Sequence, residues 1–270
     1  MTVIRDAWQE LWQRNRGGGL LTLAFWYTLI TTAYEYIVVS RIGPSLPKSL
    51  QQMFTNPAAA PVMPHLAPQL IVRVALAYLT FLLIVVPFSL GGLYGGIASA
   101  LRERPTFTNF LAFFRFGYHN FWRALSQIVL SILYAAVLVL ATSLLLLGLS
   151  QVLHAGPAVS ILWLILLVLV MLWLVATVLY WFGFTFSTGE APFRGLRLAL
   201  RWGWGHLGQL YAQTILLVGL LLAAVIVVET IVRMIPFLGE LLVIFVLGMV
   251  IPAFLAIYAL LVFQQSQAGS

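Results

Sequence analysis

The chain has 270 residues, of which 62% are hydrophobic and 8% charged, with 14 Lys and Arg against 7 Asp and Glu. A soluble domain has roughly 45–50% apolar and about 25% charged residues. So few charges cannot build a water-facing surface. This excludes a soluble enzyme, a disordered regulator and a free nucleic-acid-binding domain, and leaves a polytopic membrane protein. The formal charge of +7 then reads as positive-inside topology, with anionic lipid headgroups as the counter-charge and no nucleic-acid partner.

Residues 1–16 predict an interfacial amphipathic helix. Ile4, Trp8 and Trp12 share one face, with Val3, Ala7 and Leu11 beside them, and Arg5, Asp6, Glu10 and Gln13 cover the other. The first apolar stretch begins too far in, and runs too long, for a signal peptide. Six stretches are long enough to span a bilayer: Leu20–Ser40, Leu70–Leu101, Phe121–Leu149, Ala158–Phe186, Leu207–Val228 and Leu241–Phe263. The second exceeds one straight span, and Pro87 with Gly91-Gly92 predicts a kink or break. Between Ala124 and Gly189 there is no charged residue. That interval holds two spans, and Gln151, His154, Gly156 and Pro157 mark the turn between them. The segment from Arg41 to Gln69 carries six prolines and reads as a solvated spacer or a lid.

Placing the N-terminus in the cytoplasm puts ten basic residues inside and four (Arg41, Lys48, Arg73 and Arg233) outside. Both termini are therefore expected in the cytoplasm, in the cell membrane. The expected fold is all-α: one transmembrane domain over 1–270, six helices, and interfacial helices on the cytoplasmic side.

The two long cytoplasmic connections resemble each other at an offset of 86. Phe107, Arg115, Gly117 and Gln127 meet Phe193, Arg201, Gly203 and Gln213. The N-terminal segment forms a looser third copy, with Trp8, Leu11 and Trp12 ahead of Gly17–Gly19. Three units follow, 1–101, 102–187 and 188–270, each an interfacial helix leading into a transmembrane hairpin. Sharing one topology, they form a parallel repeat. Arg- and aromatic-rich composition at a membrane surface is the competing explanation.

Several segments carry a resemblance: Gly91-Gly92-Leu93-Tyr94-Gly95-Gly96, then Pro105-Thr106-Phe107-Thr108-Asn109-Phe110, then Phe121-Trp122-Arg123-Ala124-Leu125, and later Ala191-Pro192-Phe193 and Leu198-Ala199-Leu200-Arg201. Together they resemble bacterial six-span proteins of the type of the membrane domain attached to some glycerophosphoryl diester phosphodiesterases, and related uncharacterised families. The resemblance covers about residues 70–230. It implies a six-span membrane fold. It carries over no activity, since the acidic metal ligands of the fused soluble domain have no counterpart in this sequence.

Chemistry-bearing patterns are sparse. His65, His119, His154 and His206 lie in separate segments without ligand spacing, and Asp6 is the only aspartate. No metal, cofactor or catalytic residue is expected. The candidates are polar residues in or beside spans. Glu35 is either an intramembrane carboxylate or a headgroup-level partner of Arg41 or Arg73. Gln127 and Gln213 either bond across helices or line a site between repeats. Arg194, Arg197 and Arg201 form one stripe, with Phe193, Leu196, Leu200 and Trp204 as the apolar stripe nearby. With Arg115 and Arg123, these arginines either hold lipid headgroups or simply anchor the topology. The expected function is a non-enzymatic membrane protein that binds or moves a lipid or small amphiphile. The alternative is an accessory protein working through a membrane partner, with Trp163, Trp173 and Trp181 as its exposed surfaces.

Overall fold

The computed structural model describes residues 2–13, 19–42, 68–103, 110–152, 157–235 and 242–268. Among them there are eight helical elements and no strand. They are α1 (Thr2–Gln13), α2 (Gly19–Ile42), α3 (residues 68–103), α4 (Phe110–Val152), α5 (Pro157–Thr188), α6 (Pro192–Gly205), α7 (Leu207–Met234) and α8 (residues 243–268). The Pro-rich segment between α2 and α3, Glu240, and most of the turn before Pro157 lie outside the described residues.

Among the described residues, five helices are long and apolar enough to cross a membrane: Pro68–Arg102, Phe110–Gly148, Ile161–Thr188, Leu207–Val232 and Val243–Gln264. The chain is an integral membrane protein on that ground. α2 is fully helical but is not one of the five. Trp26, Tyr27, Thr31, Tyr34, Glu35 and Tyr36 dilute its apolar run.

Burial changes sharply along α3, α5 and α8. In α3, residues 71–76 are exposed and residues 91–98 are all buried. In α5, most of residues 161–171 are exposed, whereas residues 180–187 are all buried. In α8, residues 243–245 are exposed and most of residues 253–262 are buried. Each helix thus has a bare apolar first half and a sheathed second half. The second halves meet. Tyr94 packs on Phe182 and Phe186 at 5.3 and 5.5 Å. α5 and α8 run parallel, because Tyr180–Tyr258 and Phe184–Phe263 advance together. At Gly183 the two backbones come so close that a Cβ would run into the Ala259 carbonyl.

Three segments form the sheath. α6 folds back along α5, with Gly195 against Trp181 and Thr185 and Gly203 against Trp173. The start of α4 covers α3, where Gly91 and Gly95 meet Gly117 and Asn120, and Gly92 meets Phe113. α1 docks on α8, with Trp8 edge-on to Phe254 at 6.1 Å. The buried face of α1 is Val3, Ala7 and Leu11, while Trp8 and Trp12 stay about half exposed. A methyl side chain at Ala7 permits a closer approach than an indole would. α4 has 43 residues, about 65 Å, against roughly 30 Å of hydrocarbon. Only part of it fits the bilayer core.

The expected break near Pro87 takes a different form. α3 continues through it by a π turn at Phe81–Val85, where the Val86 N–H bonds Phe81 five residues back. α8 repeats the device ahead of Pro252, with a π segment at Val243–Val250. Proline lacks an N–H and its ring crowds the carbonyl four residues back, and a wider turn relieves both. α2 supplies donors to these helices. Thr28 donates to the Gly248 carbonyl, which a regular helix would have paired with residue 252, and Tyr34 donates to Ala77 at 2.8 Å. Thr28 and Tyr34 of α2 are thus hydrogen-bonded to its neighbours, whereas Thr31 bonds carbonyls of its own helix. Gly91 and Gly92 lie within continuous helix and seat α4.

Gly183→Ala should lower stability by about 1–3 kcal/mol, the cost of overpacking a fixed backbone contact. Gly219, with nothing near its missing Cβ, should tolerate alanine or gain up to ~1 kcal/mol. Thermal unfolding of the two variants in detergent checks this, and equal midpoints would remove the α5–α8 contact as the cause.

Candidate functional site

α6 begins at Pro192, with Ala191 extended before it. Its docking face is the small-residue line Gly195, Ala199 and Gly203, all buried against α5. This differs from the expected apolar stripe. Leu196 and Leu200 are half-buried, and Phe193 and Trp204 are 70% and 67% exposed. Small residues dock because they let two backbones approach. The consequence is that two faces point outward, the arginine stripe and the large aromatics.

Arg194, Arg197 and Arg201 are exposed. Arg194 pairs with Glu190 at 2.8 Å, and its side chain stays largely open. Such an exposed pair contributes under ~1 kcal/mol. Arg115 is exposed on α4, as are Tyr118 and Trp122. With Trp8 and Trp12 of α1, these side chains form an arginine–aromatic belt around the sheathed ends of α3, α5 and α8.

Arg123 sits apart from this belt. It is half-buried, donating through Nη1 to Asn120 at 2.7 Å and through Nη2 to the Gly189 carbonyl at 2.5 Å. Gly189 ends α5 with φ +73°, a left-handed position that suits glycine. The guanidinium thus completes the carbonyl end of α5 and ties it to α4.

Gln127 and Gln213 are 0% and 7% exposed, and both bond to α5. The Thr185 hydroxyl donates to Gln127 Oε1 at 2.9 Å. The Gln213 oxygen receives Tyr258 of α8 at 3.2 Å and Tyr180 of α5 at 3.4 Å, with the two phenols 3.0 Å apart. Trp202 packs edge-on to Tyr180 at 4.9 Å and stacks on His206. Tyr134 of α4 accepts a bond from Trp173 Nε1 at 2.9 Å. Tyr180, Tyr258, Thr185 and Tyr134 carry no sequence signal as sites, because a hydroxyl on an apolar helix does not reveal which helix it meets.

Glu35, Arg41, Arg73 and Glu229 are exposed. Of the three tryptophans expected as partner surfaces, Trp173 and Trp181 are buried, and Trp181 donates to the Pro192 carbonyl at 2.5 Å. Trp163 is half-buried. Among the described residues, no three His, Asp or Glu side chains come together as metal ligands would. No family model, characterised protein or solved structure matches the chain.

Gln213→Leu and Tyr258→Phe should each destabilise the protein, and the double variant should lose less than the sum. The expected coupling is about 0.6–1.7 kcal/mol, the range for bonds between membrane helices. A double-mutant cycle in detergent measures it, and zero coupling would show that Gln213 and Tyr258 act independently.

Proposed function

We propose that this chain is a six-span protein of the cell membrane, with both termini cytoplasmic, that binds or moves a lipid or small amphiphile without catalysis. The anchoring observation is the belt. α6 docks by its small residues and leaves Phe193, Trp204, Arg194, Arg197 and Arg201 outside together. Water alone does not favour exposed indole and phenyl rings, whereas the headgroup level of a bilayer favours both rings and arginines. Each arginine close to an anionic surface is worth about 1 kcal/mol. Arg115 joins this set. Arg123 positions helices at the same end of the molecule.

α2 is the sixth span in this reading. Its 24 residues reach about 36 Å, and its Thr28 and Tyr34 are engaged by α8 and α3. The three-unit repeat 1–101, 102–187 and 188–270 is supported by the order of docking. α4 covers α3, α6 covers α5, and α1 covers α8, so each leading helix seats on the last helix of the preceding unit and α1 closes the ring. Gly117 meets Phe88 and Gly203 meets Trp173 in comparable places. The resemblance to phosphodiesterase-linked membrane domains belongs to the same proposal and supplies no site residues.

Native mass spectrometry of the full chain in mild detergent tests the reading. Retained anionic lipid is expected, with loss on combined Arg194→Ala, Arg197→Ala and Arg201→Ala. A mass without lipid, or one carrying a second protein, would favour an accessory role instead.

A further inference from the structure

The face of α4 turned toward α5 is polar at Gln127, Ser131 and Tyr134, within a stretch that has no charged residue. These positions are spaced four and three apart, so they share one face, and residues at such spacings lie about 5–6 Å apart between Cβ atoms. α5 answers with Thr185 at one end and Trp173 at the other. Donors are left over along this seam. Gln127 is fully buried, its oxygen is taken by Thr185, and its Nε2 has no partner among the described residues. The Ser131 hydroxyl is buried without a partner among the described residues. Tyr134, one turn further along, accepts from Trp173 through its hydroxyl oxygen. Threonines elsewhere in the chain solve this problem locally. Thr80, Thr142, Thr214 and Thr230 each bond the carbonyl four residues back, but Ser131 does not.

An unmet donor in a membrane interior is costly. Two of them one turn apart, with the Tyr134 hydroxyl on the same face, call for a ligand rich in acceptors and poor in donors. We propose that the α4–α5 seam binds the phosphate and ester oxygens of a membrane phospholipid, with Gln127, Ser131 and Tyr134 as donors. Phosphodiester and ester groups offer only acceptors, and the donor line of eight residues spans about 10 Å, the scale of a glycerophosphate group. The seam opens on the lipid side, where Ile132, Leu133 and Val137 are exposed beside the half-buried Ser131 and Tyr134. Arg123 stands one turn from Gln127 and adds positive charge at one end of the line. On the other flank Gly195 of α6 closes over Thr185. This inference rests on the lipid-binding reading and assigns that reading a second, buried contact.

The test is native mass spectrometry of the delipidated full chain titrated with phosphatidylglycerol. Gln127→Leu combined with Ser131→Ala should weaken retention of one lipid about tenfold, the order expected for losing a hydrogen bond to an ionised phosphate. Ser131→Ala alone, a small change, should show a smaller loss in the same direction and guards against misfolding of the double variant. Equal retention by wild type and both variants would mean that water fills the seam, and overturns the proposal. Inorganic phosphate bound in place of lipid would assign the site to a free anion, and also overturns it. Lipid lost only from the Arg194, Arg197 and Arg201 variant would leave the belt standing and sink the seam, whereas no loss from either set sinks both.

Discussion

The parallel contact of α5 and α8 is the constraint on which the other elements depend. In a bilayer, lipid tails are as apolar as leucine, so burying leucine against leucine gains little. Helices are held instead where backbones come close or where polar groups meet. Gly183 lets α5 reach the Ala259 carbonyl, and the Tyr180–Tyr258–Gln213 cluster adds bonds at the same level. α8 is accordingly the most enclosed of the five long helices, with 44% of its most apolar stretch buried against 6–17% in the others. α1, α2 and α5 all make contact with it.

The same economy explains the polar residues of the spans. π turns carry α3 and α8 past Pro87 and Pro252, and α2 hydroxyls meet carbonyls of these helices. Irregular backbone survives in a membrane only where neighbours satisfy it. Gln127 and Gln213, similar in sequence context, both turn to α5, one toward a threonine and the other toward two phenols. α5 therefore serves as the common partner of two glutamines from different helices. Among the described residues, buried donors without a partner lie at Gln127 and Ser131 in the α4–α5 seam and at Ser89 on α3.

The amphipathic segments have three faces where the sequence pattern shows two. In α6 the charged and the large apolar stripes are plain at helical spacing, yet the docking face is Gly195–Ala199–Gly203. In α1 the tryptophans dominate the pattern, yet Val3, Ala7 and Leu11 are buried. Hydrophobicity ranks side chains by transfer to oil, whereas helix docking here selects for small size. Small residues score weakly in any hydropathy pattern, so the docking faces are not evident from periodicity. Leaving the large rings outside is what gives the molecule its belt.

Composition alone determined the class of this protein, since so few charges cannot dress a soluble surface and the apolar runs are long enough for a bilayer. Five of the predicted stretches are helices of spanning length and apolarity, and the positions of Pro87 and Pro157 marked a local irregularity and a helix start. Tertiary structure decided the partners. Only the folded chain shows that Arg123 serves a helix end while Arg194, Arg197 and Arg201 face outward, that Trp173 and Trp181 are interior, and that α1 seats on α8. The reason is physical: apolar periodicity reports which residues leave water, and in a membrane nearly all of them do. Which face meets which helix is then settled by backbone approach and hydrogen-bond satisfaction between residues far apart in the chain.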